Sequence, residues 1–216
     1  MAETYKISST DITTYLTHLQ RIDGNIGVPP MLQSDYVVPG RTGVIAGTPW
    51  SGPRVISFGG IVAGTARSDY QTKLRGLMAL VHNSGRTFTL ERTLDTSGSA
   101  TQTTEATARY VGGLEVVEQL SNRVGRVAFD LRLMDGYFYD AAATSLGTVT
   151  GTKTVNVSGN APTQNVTVTY SVGAGSQKLS NAAFPGLGRL TLIPGNNALT
   201  LTGGGSVTLS YKAAWL

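Results

Sequence analysis

The second half of the chain carries the pattern that most restricts its fold, short strand-forming segments separated at even spacing by turn residues. Segments rich in Val, Thr, Leu and Tyr lie at 148–157, 164–172, 188–193, 198–202 and 206–215. Between them stand turn formers, such as Pro-Gly-Asn-Asn at 194–197 and three glycines at 203–205. β-Branched and aromatic residues favour strands, and no helical period interrupts them. This half is therefore predicted to be an all-β sandwich or barrel.

Charge divides the chain near residue 140. Residues 141–216 contain no Asp, Glu or His, and their cations are Lys153, Lys178, Arg189 and Lys212. The other 13 of the 17 basic residues balance all 13 acidic residues, which lie in positions 1–140. The change in composition predicts two domains, 1–140 and 141–216. Four scattered cations are too few for a stripe that binds nucleic acid.

The first half is predicted to combine strands with one helix. Residues 36–38 and 55–63 are rich in β-branched and aromatic residues and predict two strands joined by an irregular Gly/Pro loop. A capping-box pattern that begins at Ser68 predicts a helix at 68–84. Its apolar stripe consists of Tyr70, Leu74, Leu77, Met78 and Val81. Strict alternation at 126–133 predicts a strand with one face in the core. The whole chain is therefore predicted to be mainly β with one helix.

A Ser/Thr/Gly run lies between two further predicted strands. Residues 86–94 and 105–112 alternate apolar and polar positions and are predicted to pair as a hairpin. The run at 95–104 is predicted to be its long tip, because small polar residues are typical of exposed loops. A separate strand is predicted at 114–120.

The irregular loop and the start of the next strand offer a candidate interface. They contain Arg41, Trp50 and Arg54. Long cations beside an indole are residue types that anchor protein interfaces. Trp50 could equally cover its own sheet, and the sequence leaves both readings open.

Residues for catalysis and metal binding are scarce. The chain has no Cys, and His18 and His82 are isolated from other candidate groups. The acid-free second domain supplies no proton carrier or metal ligand. We therefore predict a protein that is not an enzyme and has no catalytic, metal or cofactor site. No apolar run approaches the roughly 18 residues of a membrane span, and the polar start predicts an unexported protein without membrane insertion.

The order of these parts resembles the distal tail protein of long-tailed, non-contractile bacteriophages, especially those of actinobacterial hosts. The resemblance is carried by Tyr-Val-Val-Pro-Gly-Arg-Thr-Gly at 36–43, by Pro-Arg-Val-Ile-Ser-Phe-Gly-Gly-Ile-Val at 53–62 and by the helix at 68–84. It continues with the strand 126–133, the aromatic run at 135–139, Val-Ser-Gly-Asn-Ala-Pro-Thr at 157–163 and Leu-Thr-Leu at 199–201. It covers nearly the whole chain.

The resemblance implies a tail-tube-like β-sandwich with a helix in 1–140 and a peripheral, galectin-like or carbohydrate-module-like β-sandwich in 141–216. The first domain would form a homohexameric ring that joins the tail-tube protein to the tail-tip protein. The ring would lie at the distal end of the tail in the virion, after assembly in the host cytoplasm, and DNA would pass through its lumen without specific binding. Arg41, Trp50 and Arg54 would form one side of a heterologous interface, and 95–104 would make contacts along the tail axis.

Two other functions remain compatible with the sequence. A tail-tube subunit would share the sandwich and helix but would polymerise into long tubes. A carbohydrate-binding adhesin would bind a host surface glycan through aromatic rings, for which Tyr170, Phe184, Tyr211 and Trp215 are available. Tyr211 and Trp215 are the candidate stacking pair. They lie four residues apart on one predicted strand and would share a face, so core packing is the alternative.

Overall fold

The structure is a computed structural model that describes residues 3–32, 36–37, 42, 44–45, 50–82, 87–96, 100–171, 177–182 and 190–216. The chain forms two compact units, residues 1–137 with 216, and residues 138–215. Their division lies close to the boundary at 140 that charge indicates. The described part is mainly β with one α-helix, which confirms the predicted fold class.

The first unit is built on one large antiparallel sheet. Its described elements are β1 (Glu3–Ile7), β2 (Thr10–Asp11), a 3-10 helix (Ile12–Thr14), β3 (His18–Asp23), β4 (Met31–Leu32), β5 (Tyr36–Val37), β6 (Val44–Ile45), β7 (Trp50–Ser51), β8 (Arg54–Ala63), α1 (Arg67–His82), β9 (Phe88–Thr96), β10 (Ala100–Ser121) and β11 (Val124–Leu133). The sheet has the strand order β2-β1-β9-β10-β11-β8-β3. The short strands pair apart from it, β4 with β7 and β5 with β6.

This sheet curls until its two ends share one core. Three strands separate β1 from β8, yet the rings of Tyr5 and Phe58 meet edge to face with centroids 5.2 Å apart. Phe58 also stacks on Phe129 of β11, with a centroid distance of 5.2 Å. Every second residue of β8 and β11 faces this core, as the alternation at 126–133 predicts.

Helix α1 closes the core and is observed at Arg67–His82, and the last two predicted residues, 83 and 84, lie outside the described part. Ser68 is not its N-cap, because the helix begins one residue earlier. Instead the Asp69 carboxylate accepts a hydrogen bond from the Thr65 backbone N–H at 2.8 Å. Of the predicted stripe, Tyr70, Leu77 and Val81 are buried, Leu74 is half-buried and Met78 is exposed.

The hairpin prediction is wrong in the length of its tip. β9 continues to Thr96 and β10 begins at Ala100, which is its register partner. Most of the run 95–104 is therefore paired strand, and residues 97–99 lie outside the described part. The Thr residues of this run are β-branched and favour a strand although they are polar.

β10 is one strand of 22 residues, whereas two strands were expected at 105–112 and 114–120. Gly112 and Gly113 have φ angles of 131° and 86°, and the register with β11 shifts on both sides of them. The glycines therefore form a bulge that bends the strand without ending it.

The second unit is a sandwich of two three-stranded sheets. Its described strands are β12 (Phe138–Asp140), β13 (Thr144–Val149), β14 (Thr152–Val157), β15 (Val166–Tyr170), β16 (Lys178–Asn181), β17 (Gly195–Thr202), β18 (Val207–Tyr211) and β19 (Ala214–Trp215). The sheets have the orders β13-β18-β15 and β14-β17-β16, and β12 pairs with β19. Apolar side chains of both sheets, including Val149, Val157, Leu199 and Leu209, share one buried cluster.

Two predicted segments of this unit are each divided by an unpaired stretch. The segment 148–157 contains a turn at 150–151, where Gly151 has a φ of 80°. The segment 206–215 is interrupted after Tyr211, which separates β18 from β19. The β-sandwich itself is observed, and its likeness to galectins or carbohydrate modules stays a prediction.

Candidate subunit interface

Among the three predicted interface residues, the structure describes the side chain of Arg54 alone. Arg41 lies outside the described residues, and Trp50 is described only as a residue of β7. Arg54 is 6% exposed and lies on the same face of β8 as Ile56 and Phe58. Its guanidinium is therefore directed inward, and contact of these residues with a neighbouring subunit stays a prediction.

Arg54 holds a loop of its own unit. Its Nη1 donates a hydrogen bond to the carbonyl oxygen of Gly27. Burial lowers the pKa of Arg54, and the nearby charge of Arg92 lowers it further. A buried guanidinium requires acceptors to offset its lost hydration, and this carbonyl supplies one.

A second buried arginine, Arg92 of β9, holds the same loop two residues earlier. It is 2% exposed, and its Nη1 donates to the carbonyl oxygen of Asn25 at 3.0 Å. Its Nε donates to Thr104 Oγ1 at 3.4 Å. Burial is the largest cause of a lowered pKa at Arg92, and the neighbouring Tyr5 and Glu3 act in the opposite direction.

The side chain of Asn25 is fixed as well. Its Nδ2 donates to Glu3 Oε2 at 3.0 Å and lies 3.4 Å from the Tyr5 hydroxyl. That hydroxyl donates to the same Glu3 oxygen at 2.9 Å. Burial raises the pKa of Tyr5, which keeps its hydroxyl a hydrogen-bond donor. We call Glu3, Tyr5, Arg54 and Arg92 the polar cluster. It holds the loop backbone at Asn25 and Gly27 and the side chain of Asn25.

The loop exposes apolar side chains to solvent, at Ile26 between the two arginine-bound carbonyls and at several positions after them. Ile26 is 73% exposed and Val28 71%. Met31 and Leu32 follow at 58% and 41%, and Val55 of the adjoining strand β8 is 46% exposed. We call residues 24–32 the apolar loop. Side chains of this size normally lie inside a protein, so their exposure together on one segment indicates a contact surface.

The C-terminal half of the apolar loop is held by backbone contacts. The Gly52 N–H donates to the Pro30 carbonyl oxygen at 2.6 Å, and β4 pairs with β7. Gly136, with a φ of 74°, lies so close that a Cβ there would be 2.6 Å from Pro29 Cβ. Together with the polar cluster, these contacts fix the loop along most of its length.

Sequence reasoning missed both the apolar loop and the polar cluster, although each left a signal. Residues 26–32 read Ile-Gly-Val-Pro-Pro-Met-Leu, large apolar residues without a helical or strand period. Arg92 falls on the same face of β9 as the buried Phe88 and Leu90, so a charged residue occupies a core position. An arginine in such a position indicates a buried polar site.

The structure separates the two candidate sugar-stacking residues. Tyr211 of β18 is 2% exposed, and its hydroxyl accepts a hydrogen bond from the Ser158 N–H at 2.8 Å. Trp215 of β19 is half-buried, and its Nε1 donates to Asp140 Oδ1 at 2.7 Å. Phe184 lies outside the described residues, whereas Tyr170 is 45% exposed. Sugar stacking stays a prediction, and Tyr170 is the most accessible ring among the three that the structure describes.

Within the described ranges, no group of three or more His, Asp or Glu side chains is placed to hold a metal ion. Nor does any helix in the same part of the chain have the length and apolarity needed to cross a membrane.

No protein-family model matches the chain, and neither does any curated protein. Among solved structures, the chain is similar to the Dit protein of phage SPP1, described as a paradigm of the hub adsorption apparatus in phages that infect Gram-positive bacteria. The two chains share 15% identity over 98% of this chain and 99% of that chain, with a TM-score of 0.66. This likeness shows that they have the same fold.

Two further similar chains come from structures of the phage p2 baseplate in its activated conformation. The chain from the structure with Sr shares 13% identity over 70% of this chain and 50% of that chain, with a TM-score of 0.48. The chain from the structure with Ca shares 10% identity over 99% of this chain and 98% of that chain, with a TM-score of 0.49. Scores below 0.5 do not establish a common fold.

Proposed function

We propose that the chain is a structural component of the distal end of a phage tail, where it joins the tail-tube protein to the tail-tip protein. The observation that carries this proposal is the fold shared with the SPP1 Dit protein over 98% of this chain and 99% of that one. The scarcity of catalytic residue types in the sequence agrees with a structural role rather than an enzymatic one.

The proposed assembly is a homohexameric ring. A ring requires a heterologous interface, in which one patch of a subunit meets a different patch of the next. The large sheet of the first unit is compatible with such contacts, because β2 and β3 at its two ends are different strands.

DNA would pass through the lumen of this ring without specific binding. All 13 acidic residues lie in positions 1–140, where they balance an equal number of basic residues. Phosphate groups bind to uncompensated Lys and Arg, so a balanced ring domain would let DNA slide. A lumen lined mainly by Arg and Lys would contradict this part of the proposal.

The ring is tested by the mass of the purified chain in solution. Light scattering at several concentrations, with negative-stain images of the same samples, should give closed rings of about six times the chain mass of 22.6 kDa. Long tubes would identify a tail-tube subunit instead. A monomer at every concentration would contradict self-assembly and favour the carbohydrate-binding adhesin, which a glycan array of the full chain and of Tyr170→Ala would then examine.

A further inference from the structure

We propose that the apolar loop, residues 24–32, is a contact surface for a second copy of this chain. The inference rests on the proposed ring and adds to it the surface through which the subunits meet. Ile26 and Val28, the two most exposed large apolar side chains of the described residues, would form the centre of this contact.

The distribution of exposed apolar side chains singles out the first unit and this loop within it. Ten large apolar side chains are exposed among the described residues, and nine of them belong to the first unit. Four of the nine lie on the apolar loop, at Ile26, Val28, Met31 and Leu32. Exposed apolar residues scattered singly are ordinary, whereas a cluster on one short segment marks an interaction site.

The loop is also preorganised for binding. Arg92 donates to the Asn25 carbonyl at 3.0 Å, Arg54 donates to the Gly27 carbonyl, and Gly52 donates to the Pro30 carbonyl at 2.6 Å. Residues 29 and 30 are prolines, which restrict the backbone further. A segment fixed before association loses little conformational entropy when it binds, so its apolar contacts convert more fully into affinity.

The position of the loop favours a second copy as the partner. The loop continues directly from β3, the last strand of the sheet, and no described strand pairs with the outer side of β3. At the opposite end of the sheet, β2 pairs only with Lys6 and Ile7, so Glu3–Tyr5 of β1 extend beyond it. Within the described part of the first unit, two different strand edges are therefore open, and an edge of one copy can add to the other edge of the next.

The apolar loop adjoins both open edges, because it follows β3 directly and its Asn25 donates to Glu3 of β1 at 3.0 Å. A strand added at either edge would therefore lie next to the apolar loop. β3 itself is charged, with Arg21 and Asp23 forming an exposed ion pair. Charged edge strands discourage pairing with unrelated strands. Backbone hydrogen bonds are the same for every strand, so they alone would not select a partner for β3. The adjoining apolar loop would supply the selective attraction. The resulting contact is head to tail, as a closed ring requires.

A thiol-labelling experiment tests the contact directly. The chain has no Cys, so Ile26→Cys introduces a single thiol. Its reaction with a maleimide is measured on dilute monomer and on assembled ring. We expect reaction in the ring to be at least about tenfold slower, because a buried interface excludes the reagent. The control is Thr208→Cys at an exposed position of the second unit, which should react equally in both states.

A charge-insertion experiment tests whether the contact matters for assembly. The double substitution Ile26→Asp with Val28→Asp should raise the concentration of half-assembly by ~100-fold or more, because two carboxylates would be buried in an apolar contact. Its monomer should keep the wild-type circular dichroism spectrum, since both side chains point to solvent. Met78→Asp on the exposed face of α1 is the matched control and should assemble normally.

The outcomes separate this inference from the ring itself. A wild-type ring in which the thiol at position 26 stays fully reactive, and which the double Asp variant still forms, would overturn the loop contact and leave the ring standing. A wild-type chain that stays monomeric at every concentration would overturn both.

Discussion

Two buried arginines connect the interior of the first unit to its surface. Arg54 and Arg92 occupy core-facing strand positions, and their guanidinium groups hold the backbone of the apolar loop. The residue pattern alone indicated that Arg54 could be an interface anchor, because arginine is frequent at interfaces. The structure instead places it on the same face as Ile56 and Phe58, where it holds the segment that carries exposed Ile26.

Arg92→Ala should lower the free energy of unfolding by about 2–4 kcal/mol, measured by urea denaturation. The substitution removes a donor to the Asn25 carbonyl and to Thr104 Oγ1 and leaves a void beneath the loop. Arg132→Ala is the control, because Arg132 is exposed on β11 and its loss should change stability by less than about 0.5 kcal/mol. A loss of less than about 0.5 kcal/mol for Arg92→Ala as well would contradict the stabilising role of this arginine.

The elements of the first unit approach each other closely where two adjacent glycines lie in β8. A Cβ on Gly60 would lie 2.7 Å from the His18 carbonyl oxygen and 3.2 Å from Leu16 Cδ1. A Cβ on Gly59 would lie 3.5 Å from Arg21 Cβ, an ordinary contact. Gly60 therefore permits β3 and the residues before it to pack against β8, whereas Gly59 has room for a methyl group.

Gly60→Ala should destabilise the chain by about 1–3 kcal/mol, because the added methyl meets backbone that cannot move without disturbing the sheet. Gly59→Ala should be neutral within about 0.5 kcal/mol, which makes it a matched control one residue away. Thermal unfolding followed by circular dichroism compares them. A loss at Gly59 as large as that at Gly60 would contradict the assigned packing.

Local periodicity determined which elements could be predicted. The strand at 126–133 is observed at Val124–Leu133 and the helix at Arg67–His82, because each has an apolar face that recurs along its own sequence. The curl of the sheet depends on a contact between Tyr5 and Phe58, which are distant in sequence. No local pattern reports such a contact. The partners in the polar cluster are equally distant in sequence, so the core position of Arg92 indicates a buried polar site but does not identify the groups that it binds.

The two units differ in the groups that can titrate in acid. All 13 acidic residues lie in positions 1–140, and the second unit holds one of them, Asp140. In the first unit, the hydrogen bond from the Thr65 backbone lowers the pKa of Asp69 below its ordinary value of 3.8. A carboxylate with a depressed folded pKa stabilises the fold above its unfolded pKa, and that contribution is lost as the pH falls through the folded value.

Acid should therefore open the first unit before the second. Hydrogen exchange, corrected for the intrinsic rate at each pH, should show residues 1–137 losing protection between about pH 5 and pH 2 while residues 138–215 keep theirs. In Asp69→Ala, the protection of the first unit should fall less steeply with decreasing pH, because the substitution removes one titrating group. Earlier loss of protection in the second unit would contradict this assignment of acid sensitivity.

During synthesis, β1 cannot pair with β9 until that later strand has been made. β1 is made before β9, which supplies its register partners, Leu90 for Ile7 and Leu94 for Glu3. At typical rates of about 5–20 residues per second, Ile7 is incorporated roughly 4–17 seconds before Leu90. Glu3 and Lys6, interspersed with the apolar Tyr5 and Ile7, keep the waiting strand charged and so protect it from association with other unfinished chains.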